Sequence, residues 1–316
     1  MWRRRPENTE PPAHPSHRDF PHLFPRDPGQ GPGPVRRWLG RLFVLLVVVA
    51  VGIGGYLGVR GVTHNFGAPG CRLAVGDHDE TLTPEQAGNA ATISAVAVRR
   101  ALPARAATIA ITTAIQESKL RNLTYGDRDS LGLFQQRPSQ GWGTAEQVQD
   151  AVHASGAFYD RLIQVSGYET KPIGEMAQEV QRSGYPSAYA DHEAEGRVLA
   201  SVLTGQTPAG IGCRLDGPVA AGDPGEVALA LRTDTGLTPR LSGRTLTVSV
   251  RTSTVAWSVG AWAVAHAESR EVTAVTVGSR TWTRSRDESA WAWPTDARPG
   301  GSPTTVRITV AAAPAS

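Results

Sequence analysis

The chain has 316 residues, with 32 Lys plus Arg against 29 Asp plus Glu and a formal net charge of +3. That length allows about two domains. Such a near-balance of charge does not supply the concentrated basic face that nucleic-acid binding requires. Lys119 and Lys171 are the only lysines, so the other basic residues are arginine; with abundant Ala, Gly and Pro, this is the bias of a GC-rich genome and carries no chemistry.

Residues 1–41 are rich in Pro, Arg, His and Gly. A segment of this kind buries too little apolar surface to offset its ordering entropy, which predicts a disordered tail. His14, His17 and His22 are separated by prolines and match no metal-site spacing. Leu42 to Val59 reads LFVLLVVVAVGIGGYLGV, free of charge and long enough at about 1.5 Å per residue for a transmembrane helix. Arg36, Arg37 and Arg41 precede it and Arg60 alone follows closely. That asymmetry predicts a single-pass protein with a cytoplasmic N-terminus and everything after residue 59 outside. Gly54 and Gly58 add a GxxxG spacing, a weak signal in so Gly-rich a span.

Residues 60–82 read as a tether. Thr83-Pro84-Glu85-Gln86 then has the form of a capping box with Pro in the first turn, which starts a helix running to about Arg100. Leu102-Pro103 breaks the chain, and a second helix is expected from Ala104 to about Leu120. Asn122 to Pro138 contains YGDRDS and a short apolar stretch ended by proline, and reads as a loop or small hairpin. Helical spacing resumes over Ala145–Val165, Pro172–Gln181 and Ser187–Leu203, where Gly205 stops it. Residues 83–213 thus form a mostly helical domain. Cys71 and Cys213 bracket it and lie on the same side of the apolar segment, so in an oxidising compartment they form a disulfide.

Residues 214–224, rich in Gly, Pro and Ala, read as a linker. Residues 225–312 read as a small α+β module: a helix over Glu226–Thr233, a strand over Thr245–Val250, a helix over Thr254–Ser269, and strands at Val272–Val277, Thr281–Thr283 and Thr305–Val310. Trp257 and Trp262 fall at core positions. Trp291 and Trp293 alternate in a polar stretch and are the candidates for an exposed contact.

The chemistry points to one carboxylate. Cleaving a glycosidic bond needs an acid still protonated near neutral pH. A glutamate in the last turn of an apolar helix meets that need, because desolvation and the negative end of the helix both favour its neutral form. Glu117 occupies such a position. Asp127 and Asp129 follow in the next loop, where each is either a second carboxylate or a turn residue. His192-Glu193 does not continue into H-E-x-x-H, and no metal or cofactor site is read.

Glu117-Ser118 in AIQESKL, followed by Gly132-Leu133-Phe134-Gln135 in SLGLFQQ, resembles the lysozyme-like superfamily. The closest patterns are those of goose-type lysozymes and soluble lytic transglycosylases, in a subgroup found in actinobacterial envelope proteins. The resemblance covers about residues 85–205. It implies a mostly α lysozyme-like domain after one transmembrane helix, with the small α+β domain behind it. It further implies a peptidoglycan lytic transglycosylase or muramidase with Glu117 as acid and then base. Ser130, Gln135 and Gln136 would contact the glycan. Tyr185 and Tyr189 would line the cleft or simply pack in the core. The chain departs from the pattern where AQEVQRSG replaces an A-Y-N-A-G-like stretch. An inactive lysozyme-like protein that binds glycan or an envelope partner is the alternative.

Overall fold

The computed structural model describes residues 46–49, 51–55, 67–182, 186–295 and 301–313. Two corrections to the expected fold class follow. The chain is mixed α/β, with two antiparallel sheets. Among the described residues no helix is long and apolar enough to cross a membrane. Residues 46–49 and 51–55 are helical with exposed side chains, and the rest of the 42–59 span lies outside the described residues, as do residues 1–41.

The first sheet overturns the mostly α reading. The stretch read as a tether holds a hairpin, β1 (Gly70–Val75) and β2 (His78–Leu82), and β1 also pairs with β3 (Ile211–Arg214) to give the order β2-β1-β3. Gly76, at φ +60°, supplies the left-handed residue that the two-residue turn Gly76-Asp77 needs. Strand β1 alternates, with Cys71 and Leu73 fully buried and Arg72 exposed. Strand β2, HDETL, has no apolar residue before Leu82, which is why hydropathy does not reveal it. It lies at a sheet edge, where polar side chains suppress pairing with other chains.

Cys71 and Cys213 face each other in the β1–β3 register and are disulfide-bonded, as expected. The other edge of β3 is engaged as well. Trp293 Nε1–H donates to the Ile211 carbonyl at 2.6 Å, and the Leu215 N–H donates to the Ser285 carbonyl.

The helices follow the expected order with one break. Helix α1 (Pro84–Arg99) starts on the complete Thr83/Gln86 capping box, and α2 (Ala104–Ser118) follows it. The single helix expected over 145–165 is two, α3 (Ala145–Gln149) and α4 (Ala151–Leu162). Asp150 between them is extended, and its carboxylate accepts the His153 N–H as the N-cap of α4. Capping chemistry outweighs periodicity there. Helix α5 (Ile173–Gln181), a 3-10 turn at Pro186–His192 and α6 (Glu193–Leu203) complete this part, with α6 packed on α2 and on the first sheet.

Next come α7 (Pro224–Thr235), β4 (Arg240–Ser242), β5 (Thr245–Ser249), α8 (Ser253–Ala265), β6 (Val272–Val277), β7 (Arg280–Thr283) and β8 (Thr305–Val310). Their antiparallel sheet has the order β4-β5-β8-β6-β7. Helix α8 is apolar on nearly every side from Ala256 through Ala265, with Ser258 the one polar residue, as suits a helix between two layers. It covers this sheet on one side and α1 on the other. At that seam Asp234, 7% exposed, accepts hydrogen bonds from Thr92 Oγ1 and Trp262 Nε1, each at 2.8 Å. The described residues from 67 onward share one core and one compact unit.

The tryptophans divide differently from the expectation. Trp262 is core, as read. Trp293 is core too, with its ring edge-on to Trp257 at 5.2 Å, so it offers no exposed contact. The pull is the Ile211 carbonyl, which the alternation pattern cannot reveal.

Replacing Cys71 and Cys213 together by alanine is expected to lower unfolding free energy by about 2–5 kcal/mol, read from urea denaturation followed by tryptophan fluorescence. An unchanged midpoint would mean that the sheet alone holds β3.

Candidate active site

Helix α2 is built from Ala, Ile and Thr, with nearly every side chain buried, and Glu117 lies half-buried in its last turn. The helix ends abruptly. Lys119 and Leu120 both take left-handed backbone, at φ 54° and 56°, a conformation costly for non-glycine residues. Three contacts hold it. The Leu120 side chain is buried, Gln86 Nε2–H donates to the Lys119 carbonyl at 2.9 Å, and Asn89 Nδ2–H donates to the Leu120 carbonyl at 2.8 Å. Helix α1 therefore caps the end of α2 with side-chain amides, in place of a C-terminal glycine.

Tyr189, fully buried in the 3-10 turn, donates its hydroxyl to Glu117 Oε1 at 2.6 Å. Gln181, the last residue of α5, also hydrogen-bonds the carboxylate, while its Nε2–H donates to the Phe134 carbonyl at 2.7 Å. Burial raises the pKa of Glu117 above the ordinary carboxylate value, and the hydrogen bonds from Tyr189 and Gln181 partly oppose that rise. Desolvation is the larger effect. The result is an acid biased toward its protonated form and held in one orientation.

The loop after α2 is fixed to this site by main-chain and amide contacts. Ser118 Oγ–H bridges the Ala114 carbonyl of its own helix and the Leu133 carbonyl, at 3.0 and 2.7 Å. Leu133 and Phe134 are fully buried, and Phe134 stacks on Phe158 with centroids 4.9 Å apart. Gly132 has φ +78°, and a Cβ there would lie 2.2 Å from the Val148 carbonyl oxygen. The residues of the ES…GLF pattern thus have a visible physical role: they seat the loop against the end of α2.

The other sequence-predicted residues divide. Gln136 is buried, and its Nε2–H donates to the Ala154 carbonyl, so it anchors the loop to α4 instead of facing a cleft. Gln135 donates to the Tyr125 and Gly132 carbonyls. Ser130 is buried, with its N–H on the Asp127 carbonyl. Asp129 accepts from Arg137 Nε and the Ser139 N–H, both at 2.8 Å, and the Arg137 guanidinium with the Ser139 donors holds its carboxyl far below the usual range. It is a turn clamp, committed to the charged form. Asp127 is exposed and stands 4.0 Å from Arg128. Tyr185 lies outside the described residues.

Gln181, which acts on the Glu117 carboxylate, is not among the residues singled out from the sequence. It sits in AQEVQRSG, the stretch that departs from the lysozyme-like pattern, at the end of α5, where no sequence signal marks it. Glu195, at the start of α6, also has a raised pKa, through burial and then the charge of Glu80; its ring neighbour is His192, at 3.9 Å. Among the described residues no group of His, Cys, Asp and Glu is placed to hold a metal ion. No protein-family model matches this chain. A search of curated proteins gives no match either.

Because Glu117 titrates higher folded than unfolded, it contributes stability below its ordinary value near 4.5, which is lost as pH rises through its folded pKa. Glu117→Gln is therefore expected to raise the thermal midpoint at neutral pH and to leave it nearly unchanged in acid, as scanning calorimetry would show. Tyr189→Phe should raise the Glu117 pKa further, seen by carbon-13 NMR titration of the carboxyl. A fall in that pKa would contradict the orientation of the hydrogen bond. In the loop, Gly132→Ala should cost roughly 1–3 kcal/mol in denaturant unfolding, from left-handed backbone and the Val148 contact; an unaltered midpoint would mean that the loop shifts freely.

Proposed function

We propose that the protein cleaves the β-1,4 bond of the peptidoglycan glycan strand, with Glu117 as proton donor, and that it does so outside the cytoplasm. The observation that carries this reading is the Glu117 carboxyl, half-buried at a helix end, raised in pKa and held by Tyr189 and Gln181. Protonation of the glycosidic oxygen by Glu117 lets the leaving sugar depart as an alcohol, and positive charge develops at the anomeric carbon. Glu117, now ionised, keeps the hydrogen bonds from Tyr189 and Gln181, which stabilise it as the base of the second half-reaction.

Which nucleophile follows decides between two activities. A hydrolase needs a second carboxylate to hold water or attack directly. Asp129 is committed to Arg137 and Ser139, and Asp127 is exposed in the loop. The transglycosylase course, in which the sugar's own 6-hydroxyl attacks and Glu117 takes its proton, needs neither. The Cys71–Cys213 disulfide agrees with an oxidising compartment, where peptidoglycan lies. The resemblance of Glu117-Ser118 and Gly132 to Gln135 to the lysozyme-like pattern supports the substrate class.

A second reading has its own observation. The polar side chains of Gln135 and Gln136 bond to main chain within the loop and to α4, so fewer donors remain for sugar hydroxyls. On that reading the protein binds glycan or an envelope partner without cleaving it.

Incubation with purified peptidoglycan and mass spectrometry of the products separates the readings. Anhydro-muropeptides are expected, and Glu117→Gln should reduce their release by about 10²–10⁴-fold. Reducing ends would instead indicate hydrolysis. Release unaffected by Glu117→Gln, or none from the wild type, would sink the enzyme reading; cell-wall binding unaffected by Glu117→Gln would then favour the second.

A further inference from the structure

A separate cleft of about 600 Å³ opens at the seam where α1, the start of α4, α7 and the end of α8 meet. It takes no part in the Glu117 chemistry. Its apolar wall includes Val152, Leu229 and Ala230. At its base lie the buried carboxylate Asp234 and, at its side, Arg270.

Both charged groups have unused bonding capacity. The Thr92 hydroxyl and the Trp262 indole converge on one oxygen of Asp234, Oδ2. No hydrogen bond from the described residues reaches Oδ1. Oδ1 is not among the buried atoms that lack a partner, so a donor from outside the chain can reach it. Arg270 shows the complement: its Nε–H is buried without a hydrogen-bond partner, and among the described residues no carboxylate lies within ion-pair distance of its guanidinium. His266 ties the two together. Its ring stacks on Trp262 at 4.6 Å, its Nδ1 is 2.9 Å from the Trp262 carbonyl, and its Nε2 is 3.4 Å from the Thr92 hydroxyl that Asp234 holds. The charges of both Asp234 and Arg270 act on this ring. Burial lowers the pKa of His266 despite the Asp234 charge.

Each acid elsewhere on the rim has a local reason to be there. Asp150 caps α4. Glu226 stands in the first turn of α7, where the helix favours negative charge. Asp234 commits only Oδ2 to the seam, and the buried Nε of Arg270 has no hydrogen-bond partner. One unspent acceptor and one unspent donor, both charged and set in a partly apolar cleft, match a group that carries both charges a few ångströms apart.

We propose that this cleft is a second binding site, for the zwitterionic headgroup of an α-amino acid. The ammonium would lie on Asp234 Oδ1 and the carboxylate on Arg270, with the side chain along Val152, Leu229 and Ala230. The proposal does not rest on the reading of Glu117. The headgroup could be that of a free amino acid, or the free end of a diamino diacid within a cell-wall peptide.

Isothermal titration of the full-length protein tests it. Leucine and meso-diaminopimelate are expected to bind saturably. N-acetyl-leucine and leucine methyl ester, each lacking one charge, should bind at least about tenfold more weakly, as loss of one charge-assisted bond implies. Arg270→Gln should weaken leucine by a similar factor while leaving the thermal midpoint unchanged, since its Nε makes no bond in the fold. Asp234→Asn would remove the anion but also disturbs Thr92 and Trp262, so Arg270→Gln is the deciding variant. A soluble muropeptide with a diaminopimelate side chain separates the sources: tighter binding than leucine assigns the site to cell-wall peptide, and equal or weaker binding assigns it to free amino acid. No binding of either zwitterion at millimolar concentration, or equal binding of the blocked forms, would overturn the proposal.

Discussion

Strand β3 is four residues long, and both its edges are committed. On one side it pairs with β1 and carries Cys213 into the disulfide with Cys71. On the other, Trp293 bonds the Ile211 carbonyl, and a Cβ on Gly212 would lie 2.5 Å from the Ala290 carbonyl oxygen. Nothing larger than glycine fits between these surfaces. Through β3 the first sheet, which supports α6, meets the segment that leads into the second half of the chain. Helix α6 packs on α2, and α2 carries Glu117. The orientation of the candidate acid is thus tied to a strand almost a hundred residues further along the sequence.

The candidate site shows how a fold can hold an acid in an unfavourable state. Burial alone would keep Glu117 neutral; Tyr189 and Gln181 pull the other way. Neither influence removes the other, and a group that must give a proton and later take one back needs that kind of balance. Two left-handed residues directly after α2, held by amides of α1, set the angle at which the chain leaves. The strain is distributed over buried contacts that the helical core already provides.

Legibility in the sequence followed the physics of each signal. Helices α1 and α2 were readable because a capping box and a Leu-Pro break are local chemistry. The strands of the second sheet alternate and were readable apart from β4, which is three exposed residues. The hairpin of β1 and β2 was not, because β2 is polar and its stability comes from main-chain pairing, which leaves no hydropathy pattern. In the site, Glu117 and Tyr189 were legible, although only the coordinates bring them within hydrogen-bonding distance. Gln136 was overread: a polar residue in a loop looks available until the Ala154 carbonyl is seen to occupy it; for Asp129 the contacts with Arg137 and Ser139 match the turn alternative. Gln181 stayed hidden because a helix-terminal glutamine has no distinctive spacing.

The disulfide also determines where a mechanical load would travel. Cys71 and Cys213 are 142 residues apart in sequence and directly opposite in register. A pull between the chain before Gly70 and the chain after Arg214 passes through one sulfur–sulfur bond and scarcely enters the residues between. Helix α2, the loop over Gly132 and the contacts of Glu117 all lie within that bypassed stretch. Tension across the two ends would stretch the connections on either side before it distorted the carboxylate's surroundings.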